Sequence, residues 1–248
     1  MYEITRKYIQ FGNSRSGIKL LRVGFIVAHD TGDEGATARN EYNYFNNQQP
    51  EASAHAFIDD KYILEIIPLD EKAWHVIYDK QTDNRLFGDD ANDIGIGVEL
   101  CWGGNIDFRE AYKRYVWYHA YLCHKFNLDP SKHIVSHKIL DPGRKTDPDN
   151  ALNRYGITWN QFLKDVEKEY INQGVEGVGD MSELHEPMKL NSREWSDIEK
   201  TYSMYYQTGI LTSDYWRKLA TAKEMTYAQN IYLTTTCQGR FIEQQLKK

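Results

Sequence analysis

Apolar positions along the chain fall into two rhythms, one of strands and one of helices. Residues 20–28 (LLRVGFIVA) form a nearly continuous run rich in branched side chains, the pattern of a strand buried on both faces. The run predicts a strand that opens into a polar turn, His29-Asp30-Thr31-Gly32. Residues 37–47 then carry Tyr and Phe at near-helical spacing. Two short strand patterns, SAHAFID and YILEIIP, flank Asp59-Asp60-Lys61 and predict a hairpin, although the favoured Asn-Gly turn is missing. Residues 94–100 read as another strand. Alternation puts Ile94, Ile96, Val98 and Leu100 on one side, and Gly95, Gly97 and Glu99 on the other, where the glycines suggest a cleft floor kept open beneath a carboxylate. The strongest helical stripe lies in residues 109–126, through Tyr112, Tyr115, Val116, Ala120, Leu122 and Cys123. His133-Ile134-Val135-Ser136-His137 predicts a strand leading into the loop DPGRKTDPDN, and Thr158 is a candidate cap for a helix running to about Tyr170.

Beyond Tyr170 the texture changes. INQGVEGVGD is punctuated by glycines and offers little to pack, as a linker does. From Ser192 helical spacing returns with Trp195, Ile198, Tyr202 and Tyr205, and Gly209 suits a helix end. A second helix is expected from Thr212 or Ser213 through Tyr215, Trp216, Leu219 and Ala222, and a third from Thr226 towards Leu233. The pattern therefore predicts an α/β domain at 1–170 with a mixed central β-sheet flanked by helices, a linker at 171–190, and a small α-helical domain at 191–248.

Composition narrows the function classes. Hydrophobic residues make up 41% and aromatics 13%, enough to build a packed core. The net charge of −6, with no Lys/Arg run, disfavours a nucleic-acid partner. No apolar stretch approaches the ~20 residues that span a bilayer, so no membrane insertion is expected. The first residues, MYEITRKYIQFGNSRSG, lack an apolar segment and a cleavage-site pattern; cytoplasmic synthesis without a signal peptide is the expectation. Cys101, Cys123 and Cys237 are widely spaced and suggest neither a disulfide framework nor a CxxC metal site.

Candidate chemistry gathers at strand ends. His29 and His137 each sit where an apolar strand meets a polar loop, a position that taken singly more often holds a structural histidine than a ligand. Three carboxylates, Asp141, Asp147 and Asp149, follow His137, and spacing does not separate them. With these fragments in hand, residues 20–165 resemble the type 2 N-acetylmuramoyl-L-alanine amidases, a family that includes peptidoglycan recognition proteins and many phage lysins. The matching pieces occur in order: the strand ending in His29, SAHAFID, Ala73-Trp74-His75, IGIGVEL with Glu99, and SHKILDPGRKTDP. The resemblance implies a zinc ion held by His29, His137 and Asp147, with Asp149 the fallback. It implies catalytic roles for Glu99 as base and Lys145 as oxyanion partner. Two imidazoles and a carboxylate are a common catalytic zinc shell, which fits. His55, Trp74 and His75 are expected at the substrate, and Asp30 is a candidate acceptor orienting an imidazole. An amidase with a helical tail and no signal peptide resembles a phage or prophage endolysin acting on bacterial peptidoglycan, with a secondary wall polymer as a possible ligand of the tail. The alternatives are a non-catalytic peptidoglycan-binding protein and a cytosolic anhydromuropeptide-recycling amidase.

Overall fold

The computed structural model describes residues 1–78, 81–174, 188–211 and 215–226, with Asn230 and Cys237. Two compact units result, Met1–Tyr170 and Ile171–Lys248. The elements of the first are β1 (Ile4–Arg6), β2 (Phe25–Asp30), α1 (Ala38–Gln48), β3 (Ala56–Ile58), β4 (Ile63–Glu65), α2 (Gln81–Phe87), α3 (Ala91–Ile94), β5 (Gly95–Leu100), α4 (Phe108–Phe126), β6 (Ile134–Ser136), α5 (His137–Leu140), α6 (Asp149–Arg154) and α7 (Trp159–Gly174). The strands form one mixed sheet in the order β1-β4-β3-β5-β2-β6. The β3–β4 pair is antiparallel and the other pairs are parallel.

Both faces of the sheet are covered. Ile26 and Ala28 of β2 join the main core with Tyr115, Tyr118 and Leu122 of α4, while Phe25 and Val27 pack on the other side with Ile94, Val135 and Leu140. That burial explains the uninterrupted apolar run of β2. The strand nevertheless starts later than expected and ends later: residues 20–24 lie outside it, and His29 and Asp30 are its last two residues. Pairing with β5 as far as Asp30↔Leu100 carries the strand through the expected turn. The hairpin is present, and its turn is made by Asp59, whose Oδ1 accepts from Lys61 N–H (2.8 Å) and Tyr62 N–H (2.7 Å). This side-chain mimic of a backbone turn replaces Asn-Gly. His137 is the first residue of α5 rather than the last of a strand, because the Ser136 side chain caps the turn by accepting from Ile139 N–H.

The glycines of β5 do not keep a cleft open. A Cβ at Gly95 would stand 2.6 Å from Ala91 O, and one at Gly97 would stand 2.6 Å from His75 Cγ. The chain packs directly on both positions.

In the second unit, α8 (Ser192–Gln207) is capped by Asn191, with Glu194 returning the bond to the cap. Gly209 takes a left-handed φ of 73° just past the helix. Helix α9 spans Tyr215–Ala222. Trp195, Tyr202, Met188, Ile210, Leu211 and Met225 form this unit's own core. Helix α7 runs four residues into the stretch read as linker. The rest of that stretch to 187, His185 and nearly all of the expected third helix lie outside the described residues. Among the described residues, no helix is long and apolar enough to cross a membrane.

Candidate metal centre

Three chain segments bring their ends to one edge of the sheet. β2 and β5 run side by side, so that His29 and Glu99 are register partners. β6 flanks β2 on its other side and delivers His137 one residue past its end. The loop after α5 returns Asp147, whose carbonyl accepts from Lys138 N–H at 3.0 Å. The Asp147–Pro148 peptide is cis.

The side chains of His29, His137 and Asp147 converge. Both Nδ1 atoms face a single oxygen, Asp147 Oδ2, at 2.9 Å from His29 and 3.0 Å from His137. All three residues are buried, and their donor atoms lie within 4.8 Å of one another. Bonds of about 2.0–2.2 Å to a tetrahedral zinc would put neighbouring donors about 3.3 Å apart, near the 2.9 and 3.0 Å that separate Asp147 Oδ2 from the two imidazoles. Burial pushes the His29 imidazole down to about 4, so it is neutral at pH 7. Burial alone would push the Asp147 carboxyl up, but the hydrogen bonds from His137 and His29 outweigh it and hold the group well below the usual carboxylate range. A buried carboxylate has thus gathered imidazole nitrogens instead of a Lys or Arg, an arrangement that suits a bound cation. Among the described residues this is the one such group of His, Cys, Asp or Glu.

The competing carboxylates are engaged elsewhere. Asp141 accepts from Arg144 Nε at 2.8 Å, and Asp149 from Lys138 Nζ at 2.6 Å. Asp30 makes no hydrogen bond to an imidazole among the described residues. Its oxygens accept from Gly32 N–H (3.1 Å), Asn150 Nδ2 (3.2 Å) and Ala151 N–H (3.1 Å), tying the end of β2 to α6.

Glu99 is half-buried, and its Oε2 has no hydrogen-bond partner among the described residues. Burial, then the charges of Asp147 and Asp30, push its carboxyl well above the usual range. Lys145 is half-buried, forms no ion pair among the described residues, and its positive charge acts on both Glu99 and His29. Trp74 is half-buried, 5.9 Å from the ring of Tyr78, which is 40% exposed. It is the half-buried member of its tripeptide, Ala73 and His75 being buried.

His55 and His75 are placed differently from the expectation. His55 is fully buried with both nitrogens used: Gly97 N–H donates to Nδ1 at 3.0 Å and Nε2 donates to Glu71 O at 2.9 Å. His75 is buried against Gly97 with Nδ1 3.2 Å from His29 Nε2. Neither presents a nitrogen to solvent. Sequence spacing could not reveal this, because the partners lie 42 and 46 positions away.

A family profile described as N-acetylmuramoyl-L-alanine amidase matches residues 19–150. The chain is 37% identical over 147 residues to the N-acetylmuramoyl-L-alanine amidase BlyA of Bacillus subtilis (strain 168), a match covering 55% of this chain and 40% of BlyA. It is 25% identical over 206 residues to XlyA of the same organism, covering 80% of this chain and 64% of XlyA. The chain thus spans about two fifths of the length of BlyA. The solved catalytic domain of XlyA superposes with a TM-score of 0.56 at 27% identity, covering 66% of this chain and 99% of that one.

Proposed function

The chain belongs to the N-acetylmuramoyl-L-alanine amidase family, and from that premise we propose that it is a zinc-dependent hydrolase of the amide joining the lactyl group of N-acetylmuramic acid to L-alanine. The observation that carries this reading is the buried convergence of His29, His137 and Asp147 beside Glu99. Those three residues hold the zinc. When bound, zinc supplies Lewis-acid chemistry, polarising a carbonyl and making water far more acidic. Glu99 takes the proton of the attacking water and passes it to the leaving amine of L-alanine. Its Oε2 has no hydrogen-bond partner among the described residues, so no existing bond must break for that exchange. Lys145, uncommitted to any carboxylate among the described residues, stabilises the negative charge that develops on the scissile oxygen. Trp74 offers an apolar face to the glycan or the peptide.

The enzyme acts on bacterial peptidoglycan as a cell-wall-lytic endolysin, made in the cytoplasm and reaching the wall on release. The helical unit holds it there, with a secondary wall polymer as a candidate ligand. Retention of this kind raises the local concentration of enzyme on its substrate without adding a catalytic group.

The test is turbidity loss of purified cell walls with and without chelator, together with labelling of newly exposed amino groups. Clearing that stops with chelator, returns with Zn²⁺ and frees L-alanine amino termini is the expected result. Walls that are retained but never cut would make the protein a peptidoglycan binder instead and remove the roles given to Glu99 and Lys145.

A further inference from the structure

We propose that His75 is a positioning residue that fixes the tautomer of His29, and that Gly97 and His55 form the bed that holds His75 in place. This role presupposes the zinc site proposed above. His29 directs Nδ1 to Asp147, so with a cation bound there Nδ1 would be the ligand atom and the ring proton would reside on Nε2. That Nε2 lies 3.2 Å from His75 Nδ1, in a buried place where a stray N–H would otherwise lack an acceptor. His75 Nδ1 accepts, which puts the proton of His75 on its own Nε2. That buried atom makes no other hydrogen bond among the described residues and has the backbone of Gly95 as its nearby polar group.

The surroundings hold His75 from three sides. Asn92 Oδ1 accepts from the backbone N–H of His75 (3.0 Å) and of Val76 (3.1 Å), and Asn92 Nδ2 donates to Val76 O at 2.9 Å. The imidazole lies on Gly97, where any Cβ would overlap it. Gly97 N–H donates to His55 Nδ1, which commits the His55 proton to Nε2 and to Glu71 O. Arg15 in turn grips the Glu71 carboxylate with two bonds, at 2.7 and 3.0 Å. The three rings meet edge to face, His29 to His75 at 5.3 Å and His75 to His55 at 5.8 Å between centroids. A residue present only to fill space over Gly97 would need no acceptor aimed at His29.

Zinc affinity of the full chain, measured by competition with a chromophoric chelator, separates the two roles. His75→Asn keeps an acceptor near the position of Nδ1, whereas His75→Leu keeps bulk without one. Zinc affinity should fall about 10–100-fold in His75→Leu and stay within roughly threefold of wild type in His75→Asn. Nitrogen-15 NMR of the zinc-loaded wild type should find His75 protonated on Nε2 with a bare Nδ1. Equal weakening in both variants, wild-type affinity in His75→Leu, or a proton on His75 Nδ1 would overturn the proposal. Should His75→Leu not fold, the Asn variant and the NMR tautomer still decide. A wild type that takes up no zinc would remove the metal site itself, and this role with it, before any variant is compared.

Discussion

Glu99 and Lys145 bring a carboxyl group and an ammonium into one small space, and each has its own signature. Glu99→Gln removes the base and leaves the three donors intact, so the rate should fall by about 10²–10⁴ with zinc affinity within a few-fold of wild type, as equilibrium dialysis would show. Lys145→Ala should cost about 10²–10³ in kcat. A comparable loss of zinc in either variant would reassign the residue to the metal shell. Acidity provides a second check. A base works ionised, so the rate falls as pH drops through its pKa, and burial with Asp147 and Asp30 nearby moves that fall upward from the ordinary range. Zinc, being a cation near Asp147, offsets part of the rise. The kcat/KM profile should therefore have an acidic limb that is missing from the residual activity of Glu99→Gln; a limb unchanged in that variant would assign it to another group.

Strand β5 shows what pattern alone conveys and what it conceals. Gly97→Ala places a Cβ 2.6 Å from His75 Cγ and 2.9 Å from His75 Cβ, close to the rigid root of the side chain. Either the strand or the ring must move, at a cost of about 1–3 kcal/mol, or roughly 3–10 °C in Tm. Differential scanning calorimetry measures it, and an unchanged Tm would mean that the ring yields freely. The alternation of β5 was legible in the sequence, as were the long helix α4 and the hairpin, because each is set by neighbours a few positions apart. The purpose of the glycines was not, since what fills the space beside them arrives from residue 75. The same holds for His55 and Asp30, whose polarity marks them but whose partners lie 42 and 121 positions away. Asp147 was separable from Asp141 and Asp149 only through family resemblance; in the fold, the bonds of those two to Arg144 and Lys138 distinguish them.

Across the whole molecule, buried imidazoles make folding sensitive to acid. Burial holds His29, His55 and His119 each at about 4, and His75 well below its ordinary value. Because the unfolded chain takes up these protons near 6.5 and the folded chain does not, their contribution is complete above about pH 6.5 and is lost as pH falls towards 4. Glu41, pushed up to about 7 by burial and Asp33, and Glu99 work the other way, since their folded forms hold protons that the unfolded chain has released. Asp30 and Glu167 are raised too, by less, so the four imidazoles outweigh the carboxyls and stability falls with pH near 5.5. Urea unfolding of chelator-treated protein at pH 7.5 and 5.5 should show the lower stability at 5.5, and equal or greater stability there would refute this balance. The placement of the donors has a consequence for synthesis as well. His29 and Asp147 meet across 118 positions, and a ribosome makes the chain from the N-terminus at about 5–20 residues per second. Between the emergence of His137 and that of Asp147, the nascent polypeptide has both imidazoles but not the carboxylate that joins them. A product truncated ahead of that residue is thus an incomplete site by construction, and the cell translating it meets a finished centre only once nearly all of the α/β unit has been made.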